Sequence, residues 1–324
     1  MKKLLSLLLA TLLLCLFSVN VFANEAVSGD LSQAKSNERF EYKITPDDPE
    51  WANLSSKQEM LDATRIPNDI LKRMTTEEVV SAVLEYPLVI NIYAYDSYEA
   101  GLKALAKDSD AFRELLTRAD AGDALLAKLQ VNKTFSNDQS LEELTLSVLL
   151  SEKSIWQSVS NKPLAKDLIL TATNSTVKTP KGTSVPVIIR GEELSATLKT
   201  QLNNAYINSY PNATFVSTST TNYNCHSYAW YSDSTSNTYW MNDPSAYMTD
   251  GSYSSFTNLI NAVIGTRVYY DNGEHSGIVY QAGGPLASPK YLKVISKWGM
   301  APLMKHQADY APYASDHLTL WKKN

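Results

Sequence analysis

The chain has 324 residues, 44% of them hydrophobic and 19% charged, a balance that supports a packed core and excludes a disordered or fibrous protein. Its formal net charge is −5, from 29 basic and 34 acidic side chains, so the composition offers no basic footprint for nucleic acid or for an anionic membrane surface.

The N-terminus reads as a secretory signal peptide over residues 1–23. Lys2 and Lys3 form its positive end, Leu4 to Phe17 its apolar core, and Val21-Phe22-Ala23 its small-residue cleavage site. The apolar run is shorter than a membrane span needs, so the expectation is a secreted, not membrane-spanning protein beginning near Asn24. Losing Lys2 and Lys3 would take the charge from −5 to −7. Cys15 would leave with the signal, and Cys225 would be the one thiol of the mature chain. An internal disulfide is then excluded. A leftover thiol in an oxidising compartment is either buried and inert or kept for its reactivity.

Residues 24–50 are polar and charged, with Pro46-Asp47-Asp48-Pro49 inside them, and read as a leader. Residues 51–178 carry a helical pattern and predict an all-α domain. Thr75 and Glu78 have the spacing of a capping box, followed by Val79, Val80, Val83 and Leu84 on one face and a stop at Pro87. Further apolar stripes run through Leu102, Leu105, Phe112, Leu115 and Leu116, through Leu125, Leu126 and Leu129, and through Leu141, Leu144, Val148 and Leu149. No fixed repeat period emerges.

Pro180, Gly182 and Pro186 then punctuate the chain. Residues 179–215 read as a connector containing a helix from about Glu192 to Tyr206, with a domain boundary near its start. Residues 216–324 read as α+β: a helix starting near Cys225, then an antiparallel meander. Its strand signals lie at 266–270, 276–280 and 291–296, with turns at Asp271-Asn272-Gly273-Glu274 and Ala282-Gly283-Gly284-Pro285.

Asn224 is a good N-cap, which places Cys225 at the first helical position, where a thiolate is favoured. Its neighbour His226 projects about 100° away on a helix and is a poor partner for it, better suited to local hydrogen bonding or a substrate groove. His275 is the better base. It opens a strand 50 residues on, with Gly277 allowing close backbone approach. Asn222 and Asn224 could line an oxyanion site, with the Cys225 N–H as donor. One cysteine and four scattered histidines lack zinc-site spacing, and no phosphate-cradling loop or Gly-x-Ser-x-Gly elbow occurs, so neither metal nor cofactor is expected.

Cys225, Tyr228 and Ala229, then Gly265, Val268, Tyr269 and Tyr270, then His275, Gly277 and Ile278 resemble the papain-like domains of the NlpC/P60 and CHAP amidase-peptidases. The resemblance covers roughly the last third of the chain. It implies a Cys-bearing helix packed on an antiparallel sheet, a Cys225–His275 pair acting on a peptide amide, and peptidoglycan peptides as a substrate class. These families place a further polar residue on the next strand to orient the imidazole. The chain departs here, offering Ser296 and Lys297, with His306 beyond. Lysine cannot accept the imidazole N–H, whereas Ser296 and a neutral His306 can, and His306 is preferred over Ser296. The sequence around Arg65 to Tyr98 is similar to a helical module of secreted Gram-positive bacterial proteins, which implies no activity. Two alternatives stay open beside the hydrolase: acyl transfer by the same pair, as in transglutaminase-like enzymes, and a non-enzymatic binding protein with a degenerate papain-like domain.

Overall fold

Helix starts in the first half follow their caps. Thr75 accepts from the Glu78 N–H while the Glu78 carboxylate accepts from the Thr75 N–H, the expected capping box, and Ser140 and Glu143 repeat it. Ser56, Ser97 and Ser109 cap three more helices singly. The computed structural model describes residues 40–133, 140–160, 172–270, 272–281 and 287–324. The expected signal peptide, the leader up to residue 39 and the turn at Ala282 to Pro285 lie outside the described residues.

The helices of the first half are α1 (Lys57–Ala63), α2 (Asn68–Leu71), α3 (Thr76–Leu84), α4 (Tyr98–Asp108), α5 (Asp110–Leu115), α6 (Ala121–Lys133), α7 (Leu141–Leu150) and α8 (Lys153–Gln157). α3 buries Val79, Val80 and Val83 as its stripe requires. Between α3 and α4 the chain runs through a 3₁₀ segment, Val89–Ala94, and every residue from Tyr86 to Tyr95 is buried. That stretch is apolar apart from Asn91, whose Oδ1 accepts from Tyr210 Oη, because it lies between the helices and the sheet.

The sheet has seven strands in the order β3-β8-β7-β6-β5-β9-β4, every neighbouring pair antiparallel. The strands are β3 (Thr214–Ser217), β4 (Tyr253–Phe256), β5 (Arg267–Tyr270), β6 (His275–Gln281), β7 (Lys293–Lys297), β8 (Leu303–Gln307) and β9 (Leu318–Lys323). The three expected strands are β5, β6 and β7. Successive side chains alternate between the two faces. Val268, Tyr270, Val279, Val294, Met304 and Leu320 join the core that the helices build. Ile278 and Leu303 pack instead with Tyr223, Tyr228, Trp230, Met241 and Tyr247 on the other face.

Mixed α+β structure is therefore present, but its division differs from the expected one. Arg39 to Asn324 forms one compact unit, in which the larger hydrophobic cluster is shared by helices and sheet. Tyr95 Oη donates to the Pro312 carbonyl at 3.1 Å, Tyr206 Oη to Ile90 at 2.7 Å and Trp51 Nε1 to Ser209 at 2.9 Å. Pro180 to Pro186 spans the turn and early strand of a β-hairpin, β1 (Ala172–Lys178) with β2 (Ser184–Arg190), whose Ile188 bridges to Trp240. The connector's helix is α9 (Ala196–Ser209), started four residues later than expected by the Ser195 cap. A short α10 (Ser245–Thr249) precedes β4. The described end of the leader is also attached, since Phe40, Tyr42 and Ile44 pack on the core and Tyr42 Oη donates to the Ala82 carbonyl at 2.9 Å. No helix among the described residues is long and apolar enough to cross a membrane.

A fragment beginning at Lys181 keeps all seven strands but loses the helices that cover one face of the sheet. It should be soluble only as a molten species, with strand signal in the far-UV but without the near-UV dichroism of its buried Tyr and Trp rings. A fragment with a sharp near-UV spectrum and cooperative urea unfolding would show that the helical region is dispensable for the sheet.

Candidate functional site

Cys225 opens a seven-residue helical turn. Asn224 accepts from the Ser227 N–H at 3.1 Å, so it caps the turn as expected, and the residues from Ser227 to Tyr231 wind as a π-helix. The cap does more than start a helix. Its Oδ1 also accepts from the Met241 N–H, and its Nδ2 donates to the Met241 carbonyl at 2.6 Å and to Asp96 Oδ1 at 2.7 Å.

Asp96 is the residue that sequence reasoning missed. It follows the buried segment of the helical region and reaches the thiol from 129 positions away, with Cys225 Sγ 3.9 Å from its Oδ1. His226 Nε2 stands 3.4 Å from Asp96 Oδ2. Adjacent side chains on a helix do not face each other, as expected, yet both reach the same carboxylate, one on each oxygen. Cys225 and His226 are fully buried, while the Asp96 side chain is 20% exposed. Asp96 is therefore the solvent-facing member of the cluster.

The His226 ring is fixed at both nitrogens. Nδ1 lies 2.8 Å from Ser276 Oγ, and Nε2 lies 3.2 Å from the Gly273 carbonyl. Ser276 Oγ also accepts from Trp230 Nε1 at 2.9 Å. One hydroxyl proton remains for Nδ1, which leaves Nε2–H pointing at Asp96 and Gly273.

His275 and Ser276 are successive residues of β6 and point to opposite faces. Ser276 meets the Cys225 turn. His275 turns toward the helical region, stacked on Tyr313 at 3.7 Å between ring centres and edge-on to Tyr270 at 4.9 Å. No hydrogen bond joins it to Cys225, and neither of its buried ring nitrogens has a hydrogen-bond partner among the described residues. Gly277 does allow a close approach, but the space is used by Val294 of the neighbouring strand.

His306 is likewise committed elsewhere. Its Nε2 pairs with Ser296 Oγ at 2.7 Å and its Nδ1 with the Gln307 carbonyl at 2.7 Å, and Trp298 Nε1 donates to the same Ser296 hydroxyl at 3.0 Å. His306 and Ser296, expected as alternatives for orienting His275, bond each other. The His275 and His306 rings are 6.4 Å apart, centre to centre. Lys297 is completely buried and donates to the carbonyls of Thr220, Gly299 and Ala301. Burial brings its ammonium down to about 7. Asn222, expected as an oxyanion-site candidate, donates its backbone N–H to Thr220 Oγ1 at 3.1 Å.

Electrostatics keep the thiol protonated at rest. Burial raises the Cys225 pKa well above its ordinary value and the Asp96 carboxylate adds to the rise, against the backbone N–H groups of Ser276 and His226. Burial also raises Asp96, with His226 and Asn224 opposing. His275 is pushed well below the usual imidazole range by burial, then by His306 and His226. Elsewhere, a cavity of about 590 Å³ is lined by Leu102, Ala106, Phe112 and Leu116 with charged neighbours such as Lys103 and Glu152, none of them in the Cys225 cluster. The chain matches no protein-family model, no curated protein and no solved structure.

Burial holds the His306 pKa at about 4 against 6.5 for a free imidazole. Between those values the unfolded chain binds a proton that the folded chain does not, so stability falls as pH drops from 6.5 toward 4. The loss from this one group should be on the order of 3 kcal/mol. Urea unfolding at pH 7 and pH 4.5 reads the sum of His306 and His275, and His306→Gln should remove the His306 share; an unchanged pH difference in that variant would remove His306 as a source.

Proposed function

We propose that the protein is a secreted, thiol-dependent amide hydrolase or acyl-transferase of papain-like arrangement, with Cys225 as nucleophile and a peptide amide, including peptidoglycan peptides, as substrate. The observation that carries this reading is the convergence of a thiol, an imidazole and a carboxylate at Cys225, His226 and Asp96. A buried thiol of purely structural use has no need of a carboxylate brought from 129 residues away. The helical turn of Cys225 against an antiparallel sheet, with His275 opening a central strand, supports the papain-like assignment. The apolar run of residues 4–17 behind Lys2 and Lys3 supports secretion.

In this mechanism Sγ attacks the amide carbonyl as its proton passes to Asp96. The proton then leaves with the amine, and water or an acceptor amine resolves the acyl-thioester. His226 and Asn224 orient the carboxylate and stabilise it after the proton has gone. The rival base is His275, whose two unpaired ring nitrogens suit a proton acceptor. That role requires its ring to leave Tyr313 and turn past the strand.

A second reading has its own observation: Cys225 is wholly buried and its thiol is held protonated. On that basis the domain is a degenerate papain-like binding module.

Iodoacetamide labelling and peptide-amide turnover separate these readings. Cys225→Ala should abolish turnover with a melting temperature close to wild type. Asp96→Asn should lower kcat by about 100-fold or more, in the range of a lost general base. His275→Ala losing more than Asp96→Asn would move the base to the strand histidine. An unreactive wild-type thiol, together with a Cys225→Ala variant that unfolds, would establish the binding-module reading.

A further inference from the structure

The same three side chains form a donor set whose chemistry goes beyond acid and base. Cys225 offers sulfur, His226 nitrogen and Asp96 oxygen, and their ligand atoms all lie within 4.8 Å of one another. Tetrahedral Zn²⁺ with bonds of about 2.0–2.3 Å sets its ligand atoms about 3.3–3.6 Å apart. Asp96 Oδ2 and His226 Nε2 are already 3.4 Å apart, and Cys225 Sγ is 3.9 Å from Asp96 Oδ1. The widest separation in the set stays within 4.8 Å, so side-chain movements of up to about an ångström close it on one ion.

The surrounding groups hold these donors as metal ligands are commonly held. Asn224 Nδ2 occupies Asp96 Oδ1 at 2.7 Å and leaves Oδ2 facing inward. Ser276 Oγ sits 2.8 Å from His226 Nδ1 and has a lone pair to accept an N–H there, so the ring can present Nε2 as a bare ligand atom. Charge completes the argument. A thiolate and a carboxylate in one buried site carry two negative charges, which a divalent cation neutralises. Of the nearby cations, Arg190 spends its guanidinium on the Trp240 ring at 3.5 Å and on the Asp96 backbone carbonyl at 3.3 Å, and Lys297 spends its ammonium on the carbonyls of Thr220, Gly299 and Ala301, so neither bonds the carboxylate or the thiol.

We propose that Asp96, Cys225 and His226 bind Zn²⁺ and that the bound ion holds the thiol out of reaction. Binding replaces the thiol proton by a Zn–S bond and moves the imidazole proton from Nε2 to Nδ1, so one proton is released per ion. The ion enters past Asp96, the one partly exposed ligand, and its fourth position is open to water. With Sγ coordinated, neither an alkylating agent nor an amide carbonyl can be attacked. Only this consequence for turnover rests on the hydrolase reading; the binding does not.

The test uses the full chain, reduced and treated with chelator. Added Co²⁺ should give a near-ultraviolet thiolate-to-cobalt absorption at one ion per chain, with visible bands of four-coordinate intensity. Zn²⁺ should displace it and slow iodoacetamide labelling of Cys225. His226→Gln and Asp96→Asn, checked for folding by circular dichroism, should each weaken Zn²⁺ binding by about tenfold or more. Absence of the thiolate band, or labelling at the same rate with and without Zn²⁺, overturns the proposal even if every variant misfolds. Metal binding without turnover in the chelated protein would leave the site standing and remove the hydrolase. Turnover that Zn²⁺ does not touch would do the reverse.

Discussion

The whole site depends on one backbone crossing. Tyr93, Ala94, Tyr95 and Asp96 run beneath the end of the sheet and are tied to it in sequence. The Met300 N–H donates to the Tyr93 carbonyl at 3.0 Å, Tyr313 Oη to the Ala94 carbonyl, and Tyr95 Oη to Pro312. Gly299 makes the approach feasible, since a Cβ there would stand 2.6 Å from backbone atoms of Tyr93 and Ala94, and its φ of 52° suits glycine. Asp96 emerges from this crossing with its carboxylate against Asn224, Cys225 and His226. A shift of the crossing by one residue would send Tyr95 or Ser97 to the thiol instead.

Burying this crossing also explains why helices and sheet share the larger core. The sheet face bearing Tyr270, Val279 and Val294 is apolar and has no cover of its own. The helices supply that cover, and Tyr206, Tyr210, Trp298 and Tyr310 form an aromatic seam across the contact, with ring centres 4.8–6.2 Å apart. Tyr210 meets Trp298 and Tyr310 edge-to-face and Tyr206 stacked, arrangements that fix orientation as well as burying area. The protein thus uses its helical region both as a hydrophobic lid and as the carrier of a polar group for the opposite region.

Local signals were legible in the sequence, and long-range ones were not. The Thr75–Glu78 cap, the α3 stripe, the cap at Asn224 and the strands around Val268, Ile278 and Val294 each depend on residues within a few positions. Strands β8 and β9 carry His306, Lys305, Lys322 and Lys323, whose polarity conceals their pairing. Proline and glycine at 180–186 mark a break in the flanking patterns, but a turn inside a hairpin and a junction between domains share the same residues. Asp96 gave no signal of its own, because nothing in Tyr-Asp-Ser-Tyr distinguishes a surface acid from one aimed at a thiol.

The placement of His275 shows where pattern reading reaches its limit. Placing a histidine at the head of a strand after a Cys-bearing turn settles proximity along the chain but leaves facing open, because alternation gives either His275 or Ser276 to the turn. Here Ser276 takes it, because its hydroxyl can accept from Trp230 Nε1 and donate to His226 Nδ1 at the same time. Once the hydroxyl sits there, His226 is oriented toward Asp96 and His275 must stack on Tyr313. The same small choice that deprives Cys225 of a strand imidazole hands it a carboxylate and a neighbouring ring. That exchange turns a two-residue thiol–imidazole expectation into a three-donor site, and it is why acid–base and metal chemistry become available at the same sulfur.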